Sequence, residues 1–453
     1  SRVKTAVTIT SLALAVVLLN VTATFANSFD MDKYVANFTA SDFIVADAGQ
    51  FQTGGDSFNG EMALPQALVD EIDAQGGVTE GGKVYGKTSP VEEFVTEEYY
   101  RASKSWWYDA EQLDSMIRFK DRNEAGLLAD TAQIYGMEPF ALDHLRVLEG
   151  DLSKLYEPGG NYVAAVYSDN DYGEAEMDSH WAKLGSTVTL RYVEEYEYYD
   201  PDTGEVYPED ADLSQVNWAS RAVKYQEDVE YEVAALVTVP SALSYRYYGA
   251  DEFVMNDQTF IRDTGTDGVM YYAFDTTDQD NAAMEAFLAD YTGNVTPQFD
   301  YESKATYAAE FESFRSMFLL LGGVLSLIVG LVGVLNFFNA ILTGIITRKR
   351  EFAVLQSIGM TGRQLKTTLV YEGLLYAMGA VAAALVLTVG LSPLLGKALG
   401  SMFWFLTYRF TVVPILLVAP AFALLGVLVP LGVYRSAARR TIVERLREAE
   451  QGG

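Results

Sequence analysis

The chain has 453 residues, 49% of them hydrophobic, a formal net charge of −30 and no cysteine. Acidity on that scale argues against a nucleic-acid partner, and the missing cysteines exclude a disulfide framework, a thiol nucleophile and a cysteine metal site. The charge is divided unevenly: residues 27–313 carry 57 acidic and 17 basic side chains, the remainder 5 acidic and 15 basic.

Arg2 and Lys4 precede an uncharged run from Thr5 to Phe29, which predicts a first transmembrane helix over 1–29. A signal peptide is the competing reading, since Thr24 and Ala26 offer small residues near a cleavage position. Phe25, Phe29, Tyr34 and Phe38 recur at helical spacings, so the helix is expected to continue outward as a stalk. Residues 30–304 change texture. A strand is expected at Asp42–Val45, a loop at Gly54–Gly60, and a helix at Pro65–Ala74 with Leu64, Leu68, Val69 and Ile72 on one face. Gly76, Gly77, Gly81 and Gly82 punctuate strands around Val78 and Val84. Leu142–Asp171 reads as helix, glycine, loop and a buried strand at Tyr162–Tyr167. Strands follow at Lys183–Val193 and at Tyr231–Val239, the last stopped by Pro240. Mixed helices and short strands at this density predict a large acidic α+β domain, and about 285 residues can bury a core without covalent staples.

Residues 305–346 return to helix. Tyr307, Phe311, Phe314 and Phe318 form one stripe, which runs into an uncharged second span from Met317 to Ile346. Gly322, Gly323, Gly330 and Gly333 allow close helix approach there. A basic loop fills 347–366, a third span 367–395 contains Glu372, and a fourth, 410–434, contains Pro414, Pro420 and Pro430. The tail 435–453 carries Arg435, Arg439, Arg440, Arg445 and Arg447. Basic loop and basic tail predict a multi-pass α-helical membrane protein with four spans and both ends cytoplasmic, the α+β domain lying extracytoplasmically between spans one and two.

Chemical motifs are scarce. The sequence has no G-x-x-x-x-G-K-[ST] stretch with which to cradle ATP, no G-x-S-x-G, no H-E-x-x-H, and only two histidines, His144 and His180. Asp169, Asp171, Gly173 and Glu174 loosely resemble a calcium loop, with the glycine one place early. Asp200, Asp202 and Glu205 around Gly204 read as a hairpin turn. A solvated acidic turn is the plainer reading of both.

The informative stretch is TRKREFAVLQSIGMTGRQLKTTLVYEGLLY, Thr347 to Tyr376. Phe352, Leu355, Gln356 and Ile358 predict a short helix with an apolar stripe, stopped at Gly359, and Thr361 with Gln364 has the spacing of a capping box opening the next helix. A short basic helix with an apolar face suits docking onto another protein; an ordinary interfacial helix fits the same pattern.

The string RKREFAVLQSIGMTGRQL, followed by a span carrying Glu372, resembles the cytoplasmic loop of FtsX/MacB-like ABC transporter permeases. The order of features before it, including Gly150, the strand near Val166 and Leu184–Gly185, resembles a MacB-type periplasmic core domain, with 193–229 as an insertion. The resemblance implies a coupling helix seated on a separate ABC ATPase subunit, with Arg348, Lys349, Arg350, Glu351, Phe352, Leu355, Gln356, Ile358, Gly359 and Arg363 at the contact. ATP and Mg would be bound by that subunit, with no cofactor, metal or catalytic residue on this chain. It also implies a second permease copy or repeat half as partner, the bacterial cell membrane as location, and mechanotransmission through stalks at Phe29, Tyr34 and Phe38 and at Tyr307, Phe311, Phe314 and Phe318. Family substrates are peptides, antibiotics and lipoproteins, and some members regulate cell-wall hydrolases. The absence of an initiator methionine and of the family's lead-in helix reads as a processed or excised piece, such as the C-terminal half of a larger two-repeat permease. The rival reading is a membrane-anchored receptor that senses a peptide or cation without transport. A tethered hydrolase ranks last.

Overall fold

The computed structural model describes residues 2–51, 58–88, 90–170, 173–240 and 250–438. Most of the expected loop at 54–60, Asp171 of the calcium-like turn, and the tail from Arg439 onward lie outside the described residues. In chain order the elements are α1 (Arg2–Asn27), α2 (Met31–Phe38), β1 (Phe43–Asp47), α3 (Gln66–Ala74), β2 (Val78–Lys87), β3 (Val91–Val95), α4 (Glu97–Lys104), α5 (Ala110–Arg118), β4 (Leu128–Met137), α6 (Pro139–Asp143), β5 (Arg146–Gly150) and β6 (Tyr162–Val166). Then come β7 (Thr187–Tyr199), β8 (Ala219–Tyr225), β9 (Val229–Thr238), β10 (Asp251–Asn256), α7 (Asp257–Thr264), β11 (Val269–Thr276), α8 (Asn281–Asp290), β12 (Phe299–Ser303), α9 (Lys304–Thr347), α10 (Lys349–Ser357), α11 (Gly362–Met402) and α12 (Val413–Ala438). They form two compact units, Ser1–Met31 with Glu310–Gly453, and Asp32–Ala309.

In the unit 32–309 all twelve strands join one sheet, in the order β10-β6-β9-β7-β3-β4-β2-β11-β1-β12, with β5 on β9 and β8 on β7. A further parallel pairing, Asp251↔Ala132 to Asn256↔Met137, joins β10 to β4. The pairings β4-β3-β7-β9-β6-β10 therefore return to β4 and close a six-stranded ring. Both faces are covered, which explains the unbroken apolar runs in β6 and β9. Val163, Ala165, Leu190, Val233, Phe253 and Phe260 belong to one buried cluster with Leu68 and Ile72 of α3. Val84, Tyr135, Ala164, Val237 and Val254 belong to the other, with Phe140 and Leu142 of α6.

One expectation is corrected in this unit. Only Pro139–Asp143 is helical; Arg146–Gly150 is a strand, paired from Arg146↔Thr238 to Gly150↔Ala235. Its side chains are mostly exposed, so no apolar alternation announced it. Gly150 has φ +76° and a Cβ there would stand 2.4 Å from the Ala234 carbonyl oxygen, so this glycine permits a close sheet contact and does not end a helix. In 193–229, the stretch expected as an insertion, β7 runs on to Tyr199 and folds back through β8 with Tyr199↔Ala219.

Among the described residues four helices are long and apolar enough to cross a membrane, all of them wholly or mostly in the other unit: Ala6–Asn27, Lys304–Thr347, Gly362–Met402 and Val413–Arg435. Leu12, Val16, Phe337, Ile341, Leu369, Ala380, Ile415 and Val433 form their common core. Helices α11 and α12 touch through glycine: a Cβ on Gly373 would lie 2.2 Å from the Gly426 carbonyl oxygen, the close approach that small residues permit between membrane helices.

The expected unbroken run of α1 into a stalk is also corrected. Helix α1 ends at Asn27, and Phe29 makes an antiparallel bridge with Leu406. The Thr407 N–H donates to the Ser28 carbonyl at 2.9 Å, the Asp30 N–H donates to the Phe405 carbonyl at 3.1 Å, and the Arg409 N–H donates to Ser28 Oγ at 2.9 Å. Arg315 Nε donates to the Ala26 carbonyl at 2.9 Å, placing a cation at the negative end of the helix dipole. The chain leaves the helix here because residues 405–409 supply the partners that another turn would otherwise provide.

Gly373→Val should separate α11 from α12 and cost about 1–3 kcal/mol through overpacking. A lowered unfolding temperature of the purified protein in lipid nanodiscs checks this, with Gly432→Ala, where nothing lies within 4 Å of the new Cβ, as the neutral control.

Candidate functional site

Helix α10 has nine residues, too few to hold itself together in water. Its place is set by its two ends. At the start, Arg348 ion-pairs with Glu351 at 3.2 Å and with Glu372 of α11 at 3.0 Å, while its guanidinium lies 5.0 Å from the centre of the Phe352 ring, within cation–π range. At the end, the Ile358 N–H donates to the Val354 carbonyl and the Met360 N–H to the Leu355 carbonyl, at 3.1 and 3.0 Å. Gly359 turns the chain at φ +108°, a conformation that side chains with a Cβ resist. Thr361 then opens α11 with the expected capping box: Gln364 N–H donates to Thr361 Oγ1, and the Thr361 N–H donates to Gln364 Oε1.

Phe352 is 7% exposed and lies in the core with Leu365 and Leu369. It anchors α10 to the membrane unit and is no part of the exposed face, which corrects its expected place at a partner contact. Ile358 is 79% exposed, and Val354 and Leu355 are exposed as well. Arg350, Glu351, Gln356, Gly359 and Arg363 are also exposed, whereas the side chain of Lys349 lies outside the described residues. A groove between α10 and α11 is lined by Leu355, Ile358, Met360, Thr361, Gln364 and Tyr371. Tyr371 and Met360 were not singled out in the sequence; Tyr371 follows from the helical register of Gln364, Thr367 and Thr368, all on the groove.

The stalk aromatics fall into two clusters, one in each unit. In the membrane unit Phe29 stands 5.4 Å from Phe311 and 5.8 Å from Phe314, ring centre to ring centre, and Phe314 stands 4.8 Å from Phe318. Phe405 joins them, 5.6 Å from Phe29. In the other unit Phe38 stacks on Tyr307 at 5.3 Å and Tyr34 meets Phe38 at 4.7 Å. Phe405 could not be foreseen, because its segment has neither helical nor strand periodicity.

The acidic turns are occupied by local bonds. Arg146 pairs with Asp169 and also donates to the Gly173 carbonyl at 2.9 Å. Asp200 accepts the Asp202 and Thr203 N–H groups at 2.7 and 3.2 Å, as a turn requires. Among the described residues no group of three or more histidines and carboxylates is placed to hold a metal ion.

Residues 323–442 match the family of the FtsX-like permease C-terminal domain, so the resemblance expected from the loop is found over the loop itself, the later part of α9, and α11 and α12. Among solved structures, the chain is similar to the periplasmic region of MacB from Actinobacillus actinomycetemcomitans, with 10% identity, 60% of this chain and 94% of that chain covered, and a TM-score of 0.30. It is also similar to the extracellular domain of the noncanonic ABC-type transporter YknZ from Gram-positive bacteria, with 10% identity, coverage of 53% and 90%, and a TM-score of 0.24. Likeness at that level leaves the role of the unit 32–309 to its own residues. No curated protein sequence matches.

Phe352→Ala should cost about 3 kcal/mol by leaving a cavity in the core, while Ile358→Ala should change stability by less than about 0.5 kcal/mol. Unfolding temperatures of the two variants in nanodiscs separate anchor from exposed face.

Proposed function

We propose that this chain is the permease component of an ABC transporter, and that α10 with the adjoining groove is the seat of a separate ATP-hydrolysing subunit. The observation that carries the reading is the combination at α10: a short helix fixed in orientation by Arg348, Glu372 and Phe352, yet presenting Leu355 and Ile358 outward. A helix that is firmly held and apolar outside transmits force to the helices it is joined to, here α9 and α11. The match of 323–442 to the FtsX-like permease C-terminal domain supports the same reading.

On this proposal α10 and both chain ends lie in the cytoplasm of a bacterial cell and the unit 32–309 lies outside the cell membrane. A second permease copy or repeat half completes the assembly over a pair of ATPase subunits, which bind the ATP and Mg. Motion of α10 passes along α9 and through the contacts of α1 to the extracytoplasmic unit. The aromatic clusters around Phe29 and Phe311, and around Phe38 and Tyr307, stiffen that route. The handled substrate belongs to the peptide, antibiotic or lipoprotein classes, or a cell-wall hydrolase is regulated.

Co-purification with the ATPase encoded beside the gene, followed by ATP hydrolysis, tests the proposal. Leu355→Asp/Ile358→Asp should abolish capture and reduce stimulated hydrolysis at least tenfold while leaving insertion and unfolding temperature unchanged. Failure of the wild-type chain to capture any ATPase would sink the transporter reading in favour of a membrane-anchored receptor.

A further inference from the structure

The strand ring of the unit 32–309 holds a group of carboxylates that the proposed function does not use. Three positions place them on one face. On β3, Glu93 shares its face with Val91, and on β4 Asp130 shares its face with Ala132 and Ile134. On β10 Asp251 shares its face with Phe253. The apolar members of each set belong to the same buried cluster. Glu93 and Asp130 are direct partners across β3–β4, and Asp251 lies opposite Ala132 across β10–β4, one step along the same face. Three carboxylates thus meet inside one end of the ring, where like charges directly opposite each other are costly.

Each is handled differently. Asp130 pairs with Lys104 of α4 at 3.1 Å, and the half-buried Lys120 close by adds positive charge while desolvation lowers its own pKa. Glu93, only 1% exposed, accepts the indole N–H of Trp181 at 2.5 Å through Oε2. Asp251 accepts the Tyr99 hydroxyl of α4 at 3.0 Å through Oδ1. That leaves Glu93 Oε1 and Asp251 Oδ2, both buried and unmatched by any donor group, on two side chains that the strand register brings to the same face and the same end of the ring. Two carboxylate oxygens accept hydrogen bonds and donate none, so they share a bond only when one of them carries a proton.

We propose that Glu93 and Asp251 form a proton-binding latch, in which one shared proton fastens α4 and the segment 179–182 across this end of the ring and its loss releases them. Both elements hang on the pair. Tyr99 joins α4 to Asp251 and also reaches the Ser179 carbonyl at 3.5 Å, and Trp181 joins the segment to Glu93. Burial, and then the charge of Asp251 and its bond to Glu93, hold Glu93 well above the ordinary carboxylate range.

The other groups facing the pair are accounted for. His180 stands beside Asp251, stacked on the ring of Tyr167 and edge-on to Phe253, with burial holding its pKa low and Lys183 acting in the same direction. Glu252, pushed up to about 7 by burial, accepts from the Tyr135 hydroxyl at 2.7 Å on the opposite face. Glu92, also about 7 for the same reason, points away with Arg191. Because Glu93 holds its proton more tightly when folded, the stabilisation is complete below the ordinary carboxylate range and is lost as pH rises through its raised value.

The test is hydrogen exchange of the full chain in nanodiscs between pH 5.5 and 8.5, normalised for intrinsic rates and read on peptides covering 97–104 and 179–182. Protection in the wild type should fall by about tenfold or more on going up in pH, the equivalent of one unit of coupling. Glu93→Gln should keep its protection across the range, since the amide replaces the protonated acid, and Asp251→Asn should do the same. A wild type that shows no such fall overturns the latch, as does a fall that persists in either variant. Loss of protection on acidification would instead assign the titration to His180 and equally overturn it.

Discussion

The membrane unit depends on a single cation held between two anions. Arg348 is the residue through which the end of α9, the start of α10 and the third span become one piece, because its guanidinium meets Glu351, Glu372 and the face of Phe352 at once. Remove that charge and Glu372 would be left at the base of a membrane helix without its counter-ion, a costly place for a carboxylate. The arrangement satisfies two demands together. It neutralises an acid on a long apolar helix, and it fixes a helix too short to fix itself.

Phe352 supplies the apolar half of the same junction. Its burial with Leu365 and Leu369 sets the rotation of α10, so Leu355 and Ile358 must face outward. Orientation and exposed face are thus one property.

How much of this was readable from the residues depends on the range of the forces involved. The long apolar helices, the loop helix and the Thr361–Gln364 cap are local matters of hydropathy and three-residue spacing, and the structure has a helix in each of these stretches and the capping box at Thr361. Phe352 looked like part of an outward stripe because periodicity tells which residues share a face but not which way the face turns; that is decided by Leu365 and Leu369, further along the chain. Likewise Phe25, Phe29, Tyr34 and Phe38 share helical spacings, yet the helix stops at Asn27 because Phe405, Thr407 and Arg409, nearly four hundred residues away, offer the backbone better partners. Arg146–Gly150 failed for a related reason: a strand with mostly exposed side chains is recognised by its neighbour β9, and β9 lies some eighty residues later. Among the acidic residues, Glu93 and Asp251 were two of many, and only the register of β3, β4 and β10 picks them out.

The closure of the strand ring by β10 against β4 has a consequence for how the protein is made. The two strands are separated by about 120 residues, so at ribosomal speeds of roughly 5–20 residues per second β4 waits on the order of ten seconds for its partner. During that interval one edge of β4 is open, with Ala132, Ile134 and Tyr135 available to any passing strand. A domain of this kind, emerging beside a first membrane helix, benefits from whatever shields that edge until Phe253 arrives to cover it.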